Sequence, residues 1–501
     1  MKNIYSLFNN TAKKYANKIA ITYNNESLSF SHLQNCILYY ANQLRQNGIN
    51  KGDIVAIYLS NTPEAVATTL SAISIGAIAL PINNQLPQNL VIDILKSSGA
   101  SIILCNRTTK LSNLPCKLLI VQKIGSILEQ SIIMQDEFNI NESEFAFCIY
   151  TSGSTGKQKG LLLTHKGILN HIKAKWEILN LNDSSVICQS FNNGFVASIW
   201  QILAPLIYGA TLVVCSDEEI KNPLALLKCA VDSKADTIAL LPQFLISYCI
   251  LIENGHKKLD LSNLKNIVLT GEQVTLSVIQ TFYKHYNIPL INAYGQSECC
   301  DDTMHYKIPY DFNESIVPIG SPIQNVNAFL IDEQGNIIKS ANQIGELCLY
   351  GICIARPVIE NQCFISSFFN IDSINGPIFK SGDLVYRDKK GIYYYCGRKD
   401  NMIKIRGYKV FLEEIERTIE LFDTIEKAMV VPIVDQGTVK GFEADIICKG
   451  NIDKEKLLFF LKQRLPAYSI PMIYKKVSTL KKLPNGKLLR RSENAKSTRK
   501  C

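Results

Sequence analysis

The run from Phe145 to Gly160, FAFCIYTSGSTGKQKG, carries the clearest indication of chemistry in the chain. A strand-like pattern leads into a loop of hydroxyl, glycine and lysine residues. Glycines free the backbone to wrap an anion, hydroxyl and amide groups donate to phosphate oxygens, and lysine supplies charge. The spacing is not GxxxxGK[ST], which excludes a Walker A loop. The loop residues that we expect to hold phosphate are Thr151, Ser152, Gly153, Ser154, Thr155, Gly156 and Lys159.

The elements that position this loop follow from hydrophobic patterning. Runs such as DIVAIYL, SIILC and NIVLTG are typical of strands, whereas TPEAVATTLSAISIG and SVIQTFYKHYN are typical of helices. Their alternation through the N-terminal part of the chain predicts α/β layers on largely parallel sheets. From Val317 to Tyr395 the pattern changes to short strands with turn signals, which predicts a β-rich subdomain in the form of a distorted barrel.

A polar, turn-prone stretch, GRKDN, separates this region from the hairpin pattern IKIRGYKV and the amphipathic pattern FLEEIERTIELF. These predict a separate small α+β domain. We therefore expect an α/β protein whose core domain, residues 1–397, holds two α/β layered subdomains plus the distorted barrel. A hinge over residues 398–401, with Asp400 as its pivot, would join the core domain to a mobile C-terminal lid domain over residues 402–501.

Four further segments accompany the phosphate loop: NAYGQSE, KSGDLVYR, YCGRKDNMIKIRGYKV and LPNGKLLRR. With TSGSTGKQKG they span nearly the whole chain, and in this order they resemble the acyl-adenylate-forming superfamily. NAYGQSECCDDTMHY and VPIGSPIQN look most like a stand-alone adenylation domain of the non-ribosomal peptide synthetases. The resemblance implies an AMP-forming acid–thiol ligase that uses ATP and Mg²⁺. Such an enzyme releases pyrophosphate as it forms an acyl adenylate, and then transfers the acyl group to a thiol.

The resemblance also implies a role for each matching residue. Lys487 would bridge the acid's carboxylate and the α-phosphate, where a cation stabilises the developing charge. Glu298 would bind Mg²⁺, a hard cation that prefers carboxylate oxygen. Thr155 and its loop would hold the β- and γ-phosphates. The remaining roles are adenine binding by Asn292 and Tyr294 beside Ala293, α-phosphate binding by Ser297, ribose binding by Asp383 with support from Arg398, and thiol approach at Gly407.

The segment FVASIWQILAPLIYGATLVV resembles the family's acid-pocket segment and aligns on Trp200 and Gly209 without gaps. This register puts Val196 where amino-acid activators place the Asp that pairs with an α-ammonium. Valine cannot do so, and an unpaired buried ammonium is costly. In a shifted register Asn192 or Asn193 would take that position instead. The pocket residues carried over by the resemblance are Phe195, Val196, Ala197, Trp200, Leu240, Val268, Thr270, Ala293, Asp301 and Asp302.

Two substrate interpretations remain open at this point. Two neighbouring carboxylates such as Asp301 and Asp302 are stabilised by a nearby cation. A substrate amine could supply it, which favours a β- or ω-amino acid without an α-amino group. If both carboxylates point away from the ligand, an aryl, hydroxy or keto acid fits better. No carrier-domain segment follows Lys487, so we expect the thiol to come from a separate acyl or peptidyl carrier protein, or from CoA.

Composition limits the other functional classes. The chain has 501 residues and 16 Cys without zinc-like spacing, which favours a reduced, cytoplasmic, globular protein. The uncharged runs at 65–83 and 237–252 read as buried elements, because the first contains Gly76 and Pro81 and the second is short and contains Pro242.

The net charge of +9 is concentrated in residues 451–501, which hold fourteen Lys or Arg and three Asp or Glu. No nucleic-acid recognition module accompanies this basic end, so we expect neither a nucleic-acid nor a membrane partner. It would instead suit an acidic carrier protein. A catalytically inactive nucleotide-binding protein is the alternative from another class, and intact Glu298, Asp383 and Lys487 argue against it.

Overall fold

The computed structural model describes residues 3–109, 111–127, 139–151, 158–358, 368–371, 376–399, 402–435, 438–448 and 452–480. Seven residues to which the sequence assigns functions lie outside these ranges. They are Ser152, Gly153, Ser154, Thr155, Gly156, Asp400 and Lys487.

The first sheet has seven strands among the described residues, and the five from Phe145–Thr151 to the edge strand Lys117–Ile120 are parallel. Ile78–Pro81 and Ile102–Cys105 are buried along their whole length, as expected for strands covered on both faces. Phe145–Thr151 carries the start of the phosphate loop and pairs antiparallel with Lys159–Thr164, so the loop joins two neighbouring strands. The other strands are Ile54–Tyr58, Lys117–Ile120 and Arg356–Pro357.

The second sheet contains a parallel run that ends at Leu290–Gln296. There the chain reverses, and Asp301–Ile308 returns antiparallel along the same strand. The other strands of this run are Ile19–Tyr23, Val186–Gln189, Thr211–Val214, Thr237–Leu240 and Asn266–Leu269, and Glu26–Ser29 pairs antiparallel with Ile19–Tyr23 at the edge. Beyond Asp301–Ile308 the sheet continues as an antiparallel region. Its strands are Pro318–Pro322, Val326–Ile331, Ile337–Ile338, Gly345–Gly351, Phe368–Phe369, Ile378–Arg387 and Tyr393–Arg398. The β-rich region predicted from Val317 is therefore confirmed, while its closure into a barrel stays a prediction.

Helices cover these sheets and bury apolar stripes against them. Their bounds are Ile4–Lys14, Phe30–Gln46, Pro63–Ser74, Gln88–Ser98, His165–Ile178, Ser198–Tyr208, Pro223–Asp232, Pro242–Glu253 and Leu276–Tyr283. Short 3-10 turns occupy Ile124–Ser126, Glu219–Lys221, Ser297–Cys299 and Ala467–Ser469. Within the described ranges, no helix has the length and apolar character needed to cross a bilayer.

The C-terminal region begins with the predicted hairpin, Met402–Ile405 paired with Tyr408–Phe411. The helix Leu412–Glu420 buries Leu412, Ile415 and Ile419, in line with its amphipathic sequence. Strands Ile425–Asp435, Thr438–Cys448 and Ile473–Lys476 and the helix Lys454–Lys462 complete it. These elements share an apolar cluster of their own. The α/β class is confirmed, and the division into core, hinge and lid stays a prediction.

Candidate active site

A tight reversal of the chain builds one wall of the site. After Leu290–Gln296 the 3-10 turn Ser297–Cys299 leads to Cys300 and Asp301, whose φ angles of 61° and 100° lie in the left-handed region. Gly295 permits this reversal, because a Cβ there would lie 1.9 Å from the Asp301 carbonyl oxygen. The turn therefore brings the Ser297 and Asp301 side chains to the same cavity.

This cavity, which we call the acid cavity, lies where the predicted acid pocket and phosphate loop meet. Its core-side lining includes Thr151, Phe195, Val196, Thr270, Gly271, Gly295, Ser297 and Asp301. The predicted lid contributes Lys404, Gly407, Tyr408, Lys409 and Tyr468 from the opposite side. The other predicted pocket residues, Ala197, Trp200, Leu240, Val268 and Asp302, are buried but do not line it.

A second cavity, which we call the nucleotide cavity, shares Gly271, Gly295 and Lys404 with the first. The residues predicted to bind adenosine line it, namely Asn292, Ala293, Tyr294, Asp383 and Arg398. The Tyr294 hydroxyl donates to the Asp383 carboxylate, which also accepts from Gln296 Nε2 at 2.7 Å and Arg398 Nη1 at 2.6 Å. Burial, and then Asp383 beside it, raise the pKa of Tyr294 well above its usual value. Asp383, the residue predicted to bind the ribose, is thus held in place by three hydrogen-bond donors.

Glu298 is paired with a residue of the lid hairpin. Lys409 Nζ lies 2.6 Å from Glu298 Oε2 and donates to Gln296 Oε1 at 3.3 Å. Burial raises the pKa of the Glu298 carboxyl, but Lys409 outweighs this effect and the pKa is lowered overall. An ionised carboxylate fits Mg²⁺. In this arrangement, however, the Lys409 ammonium already neutralises the carboxylate that the resemblance assigns to Mg²⁺.

The hairpin turn fits closely against the core. Gly407 has φ +79°, and a Cβ there would lie 3.0 Å from Leu241 Cδ2 and 3.2 Å from Phe195 Cζ. Tyr408 stacks on Tyr468 with ring centroids 4.1 Å apart and accepts a hydrogen bond from Asn83 Nδ2 at 3.1 Å. In the described part of the chain, this hairpin therefore faces the acid cavity.

The acid pocket supports the ungapped register for Val196. Val196 lines the acid cavity, whereas Asn193 uses its side-chain amide elsewhere. Asn193 Oδ1 accepts from Gln189 at 2.6 Å, and its Nδ2 donates to the Ser60 carbonyl at 3.1 Å. Asn193 is therefore not available to replace the missing carboxylate.

The two aspartates of the pocket differ in their surroundings. Asp301 lines the acid cavity, and its Oδ2 has no hydrogen-bond partner among the described residues. Asp302 does not line that cavity; its Oδ2 lies 2.6 Å from Lys175 Nζ, and its Oδ1 accepts from the Thr270 hydroxyl at 2.8 Å. The expectation that Asp302 needs a cation from the substrate is corrected, because the chain supplies Lys175.

Lys175 and His171 are residues that the sequence analysis missed. Both lie in the buried stripe of His165–Ile178, with Ile168 and Ile172 at helical spacing. Their Asp partners come from a strand that is far away in sequence, so no local pattern pairs them. A lysine in an otherwise apolar stripe was the available signal, since lysine is almost never fully buried unless it is paired.

The sequence and the fold match those of known proteins. The model of the family described as "AMP-binding enzyme" matches residues 8–357. Zwittermicin A synthase ZmaJ of Bacillus cereus is 26% identical, with 97% of this chain and 94% of that protein aligned. Tyrocidine synthase 3 of Brevibacillus parabrevis is 26% identical over 98% of this chain, and the match spans 8% of that protein's length.

Solved structures agree at the level of the fold. The Vibrio cholerae adenylation domain AlmE, in complex with glycyl-adenosine-5'-phosphate, superposes with a TM-score of 0.84 at 20% identity, and 95% of each chain is covered. The o-succinylbenzoate CoA synthetase MenE of Bacillus subtilis gives a TM-score of 0.84 at 20% identity over 98% of each chain. The chain belongs to the AMP-binding enzyme family. It is accordingly an enzyme of the adenylate-forming ligase class.

Proposed function

We propose that this enzyme activates a carboxylic acid that lacks an α-amino group, favouring a β- or ω-amino acid, and transfers it to the phosphopantetheine thiol of a separate carrier protein. The observation that carries the proposal is the junction of the acid and nucleotide cavities. Residues from segments that are distant in sequence, such as Thr151, Ser297 and Asp383, line two cavities with a common wall. A carboxylate in one cavity would lie beside the α-phosphate of a nucleotide in the other.

Adenylation would follow from the placement of donors around this junction. Asn292 donates its Nδ2 to the Pro318 carbonyl at 2.7 Å, which leaves its Oδ1 to accept from the adenine amino group. Asp383 would accept the ribose hydroxyls, and Ser297 would donate to the α-phosphate. The acid's carboxylate oxygen attacks the α-phosphorus, the acyl–O–P bond forms, and pyrophosphate leaves.

Lys487 would stabilise the charge at the reacting phosphorus, and the phosphate loop with Thr155 would hold the leaving pyrophosphate. Mg²⁺ bound at Glu298 would neutralise phosphate charge when it is present. Because Lys409 and Mg²⁺ compete for this carboxylate, we infer that adenylation requires the lid to turn away from the arrangement described above.

Thiol transfer is the step that the described arrangement favours. With the hairpin in place, Lys404 and Lys409 line the acid cavity, and Gly407 lets the hairpin backbone approach Phe195 and Leu241 closely. The thiol would attack the acyl carbon, forming the thioester and releasing AMP. Rotation about Asp400 would exchange the two arrangements.

The acceptor is inferred from charge and from the relatives. The basic C-terminal end favours an acidic protein surface. The likeness of the fold to PA1221, an NRPS protein containing adenylation and PCP domains, supports a carrier-bound product. CoA is the alternative acceptor, supported by the likeness of the fold to a CoA synthetase. Offering the purified enzyme both thiols, and measuring thioester formation on each, separates the two.

The acid is inferred from Val196 and Asp301. An α-ammonium would be buried against Val196 without a partner, which costs several kcal/mol. An ammonium further along the substrate could pair with the Asp301 carboxylate, whose Oδ2 lies 3.8 Å from His171 Nε2 and makes no hydrogen bond in the described part of the protein. If Asp301 does not meet the substrate, the aryl, hydroxy or keto acid alternative takes its place.

Acid-dependent exchange of labelled pyrophosphate into ATP tests the proposal across matched acids: α-, β- and γ-amino acids with their deaminated and hydroxylated analogues. We expect exchange with a β- or γ-amino acid and poor exchange with common α-amino acids. Strong exchange with α-amino acids would contradict the substrate assignment. Exchange with no acid at all would contradict the function itself and favour an inactive nucleotide-binding protein.

A further inference from the structure

A buried group of charges lies directly behind the acid cavity. Lys175 and Asp302 are 0% and 1% exposed, and their 2.6 Å ion pair is shielded from water. Lys175 Nζ also lies 5.2 Å from the centre of the Trp200 ring, a distance suited to a cation–π contact. Because Asp302 holds the hydroxyl of Thr270, which lines the cavity, the pair is linked directly to the cavity wall.

The same group resembles a metal site in part. One side-chain atom each from His171, Asp302 and His305 lies within 4.8 Å of the others. Burial lowers the pKa of the His171 and His305 imidazoles, so both rings are neutral and have the form that binds a metal ion. The Lys175 ammonium, however, already lies against the only carboxylate of the three. A metal ion bound there would have to displace the Lys175 ammonium. The positive charge beside Asp302 is therefore that of a protein side chain.

We infer that Lys175 is a specificity-determining residue. Its ammonium closes the inner end of the acid cavity and restricts the enzyme to short acids whose single amine reaches Asp301. The inference rests on the proposed function and deepens it, because it names the length and charge of the acid.

Length restriction follows from charge and space. A longer ω-ammonium that passed Asp301 would meet Lys175, a like charge that is buried and already paired. Two ammonium groups cannot share Asp302 without water at acceptable cost. Trp200 is fully buried beside Lys175, so a longer substrate would have to displace a packed ring to pass on that side.

In a variant without Lys175, the ammonium of a longer substrate should take the place of the Lys175 ammonium beside Asp302. The experiment compares kcat/KM for 3-aminopropanoate, 4-aminobutanoate, 5-aminopentanoate and 6-aminohexanoate, with the deaminated acid of each length as reference. For wild type we expect activity to fall with length. For Lys175→Ala we expect the ratio of a five- or six-carbon amino acid to 3-aminopropanoate to rise about tenfold or more. The deaminated acids should not show this rise.

The gain must depend on Asp302. In Lys175→Ala/Asp302→Asn the rise for long amino acids should disappear, a result that a merely structural role for Lys175 would not produce. An unchanged length profile in folded, active Lys175→Ala would overturn the inference. So would a gain that survives Asp302→Asn.

If Lys175→Ala does not fold, the matched variant Lys175→Met/Asp302→Asn keeps the inference testable, since it replaces the buried pair with neutral groups of similar size. We expect it to retain wild type's preference for a short amino acid over the deaminated acid, because Asp301 sets that preference. Loss of the preference would contradict the inference. Absence of pyrophosphate release by wild type with every acid would instead contradict the proposed function.

Discussion

Asp301→Asn is the substitution that most sharply tests how the acid is recognised. Asn keeps the size of the side chain and removes its charge. Asp301 is 5% exposed and lines the acid cavity, so a substrate ammonium would meet it largely without water. A hydrogen bond to a charged group contributes about 1.5–3 kcal/mol. Its loss should lower kcat/KM for the amino acid by about 10- to 150-fold.

The assay is the ratio of kcat/KM for 3-aminopropanoate to that for propanoate, measured by pyrophosphate release. We expect Asp301→Asn to lower this ratio strongly, because kcat/KM should fall for 3-aminopropanoate and stay unchanged for propanoate. Asp260→Asn is the matched control, because Asp260 is exposed and caps a turn by accepting from the Ser262 amide at 3.0 Å. A ratio that survives Asp301→Asn would refute the assignment and favour the aryl, hydroxy or keto acid alternative.

The same residue predicts a pH dependence. Burial, and then the neighbouring Asp302 carboxylate, raise the pKa of Asp301 well above its usual value, while Lys175 and Lys404 oppose this rise. In the free enzyme Asp301 must therefore lose a proton before it can pair with an ammonium. As pH rises towards the pKa of Asp301, kcat/KM for the amino acid should rise, and that for propanoate should not share the change. An identical profile for both acids, or persistence of the difference in Asp301→Asn, would contradict this account.

Four other substitutions test the remaining parts of the site. Val196→Asp should shift preference towards α-amino acids in the pyrophosphate exchange panel, and an unchanged panel would reject the register. Lys487→Ala should abolish adenylate formation, at a cost of about 3 kcal/mol or more in transition-state stabilisation, while ATP binding by calorimetry persists; near-normal exchange would reject its role. Lys409→Met, which removes the pair with Glu298, and Asp400→Pro, which restricts the hinge, should each slow thioester formation more than exchange in single-turnover assays. Equal loss of both half-reactions would count against lid rotation.

Much of the fold was predictable because its elements carry strong local patterns. The run TPEAVATTLSAISIG gives the helix Pro63–Ser74, which ends just before Gly76 adopts φ +76°. The run SVIQTFYKHYN gives the shorter helix Leu276–Tyr283, because Pro289 removes a donor and restricts the residue before it. Element types were therefore predictable, and the ends depended on single residues.

The site was predictable only where a motif carried it. Asp383 and Tyr294 belong to different motifs, and the fold joins them by a hydrogen bond. Lys175 belongs to no motif, so helical periodicity predicted only that its position is buried. Its pairing with Asp302 depends on how its helix packs against a strand that is far away in sequence. No local sequence pattern indicates this packing.

The central claim is that the acid's carboxylate oxygen attacks the α-phosphorus of ATP, and transfer of an isotope tests it most directly. The enzyme is supplied with its acid labelled with ¹⁸O in both carboxylate oxygens, with ATP and with a thiol acceptor, and the products are analysed by mass spectrometry. Our account predicts that one ¹⁸O atom of each acid appears in AMP and that the pyrophosphate is unlabelled. Formation of ADP with ¹⁸O in inorganic phosphate, or of AMP without ¹⁸O, would contradict the acyl-adenylate mechanism.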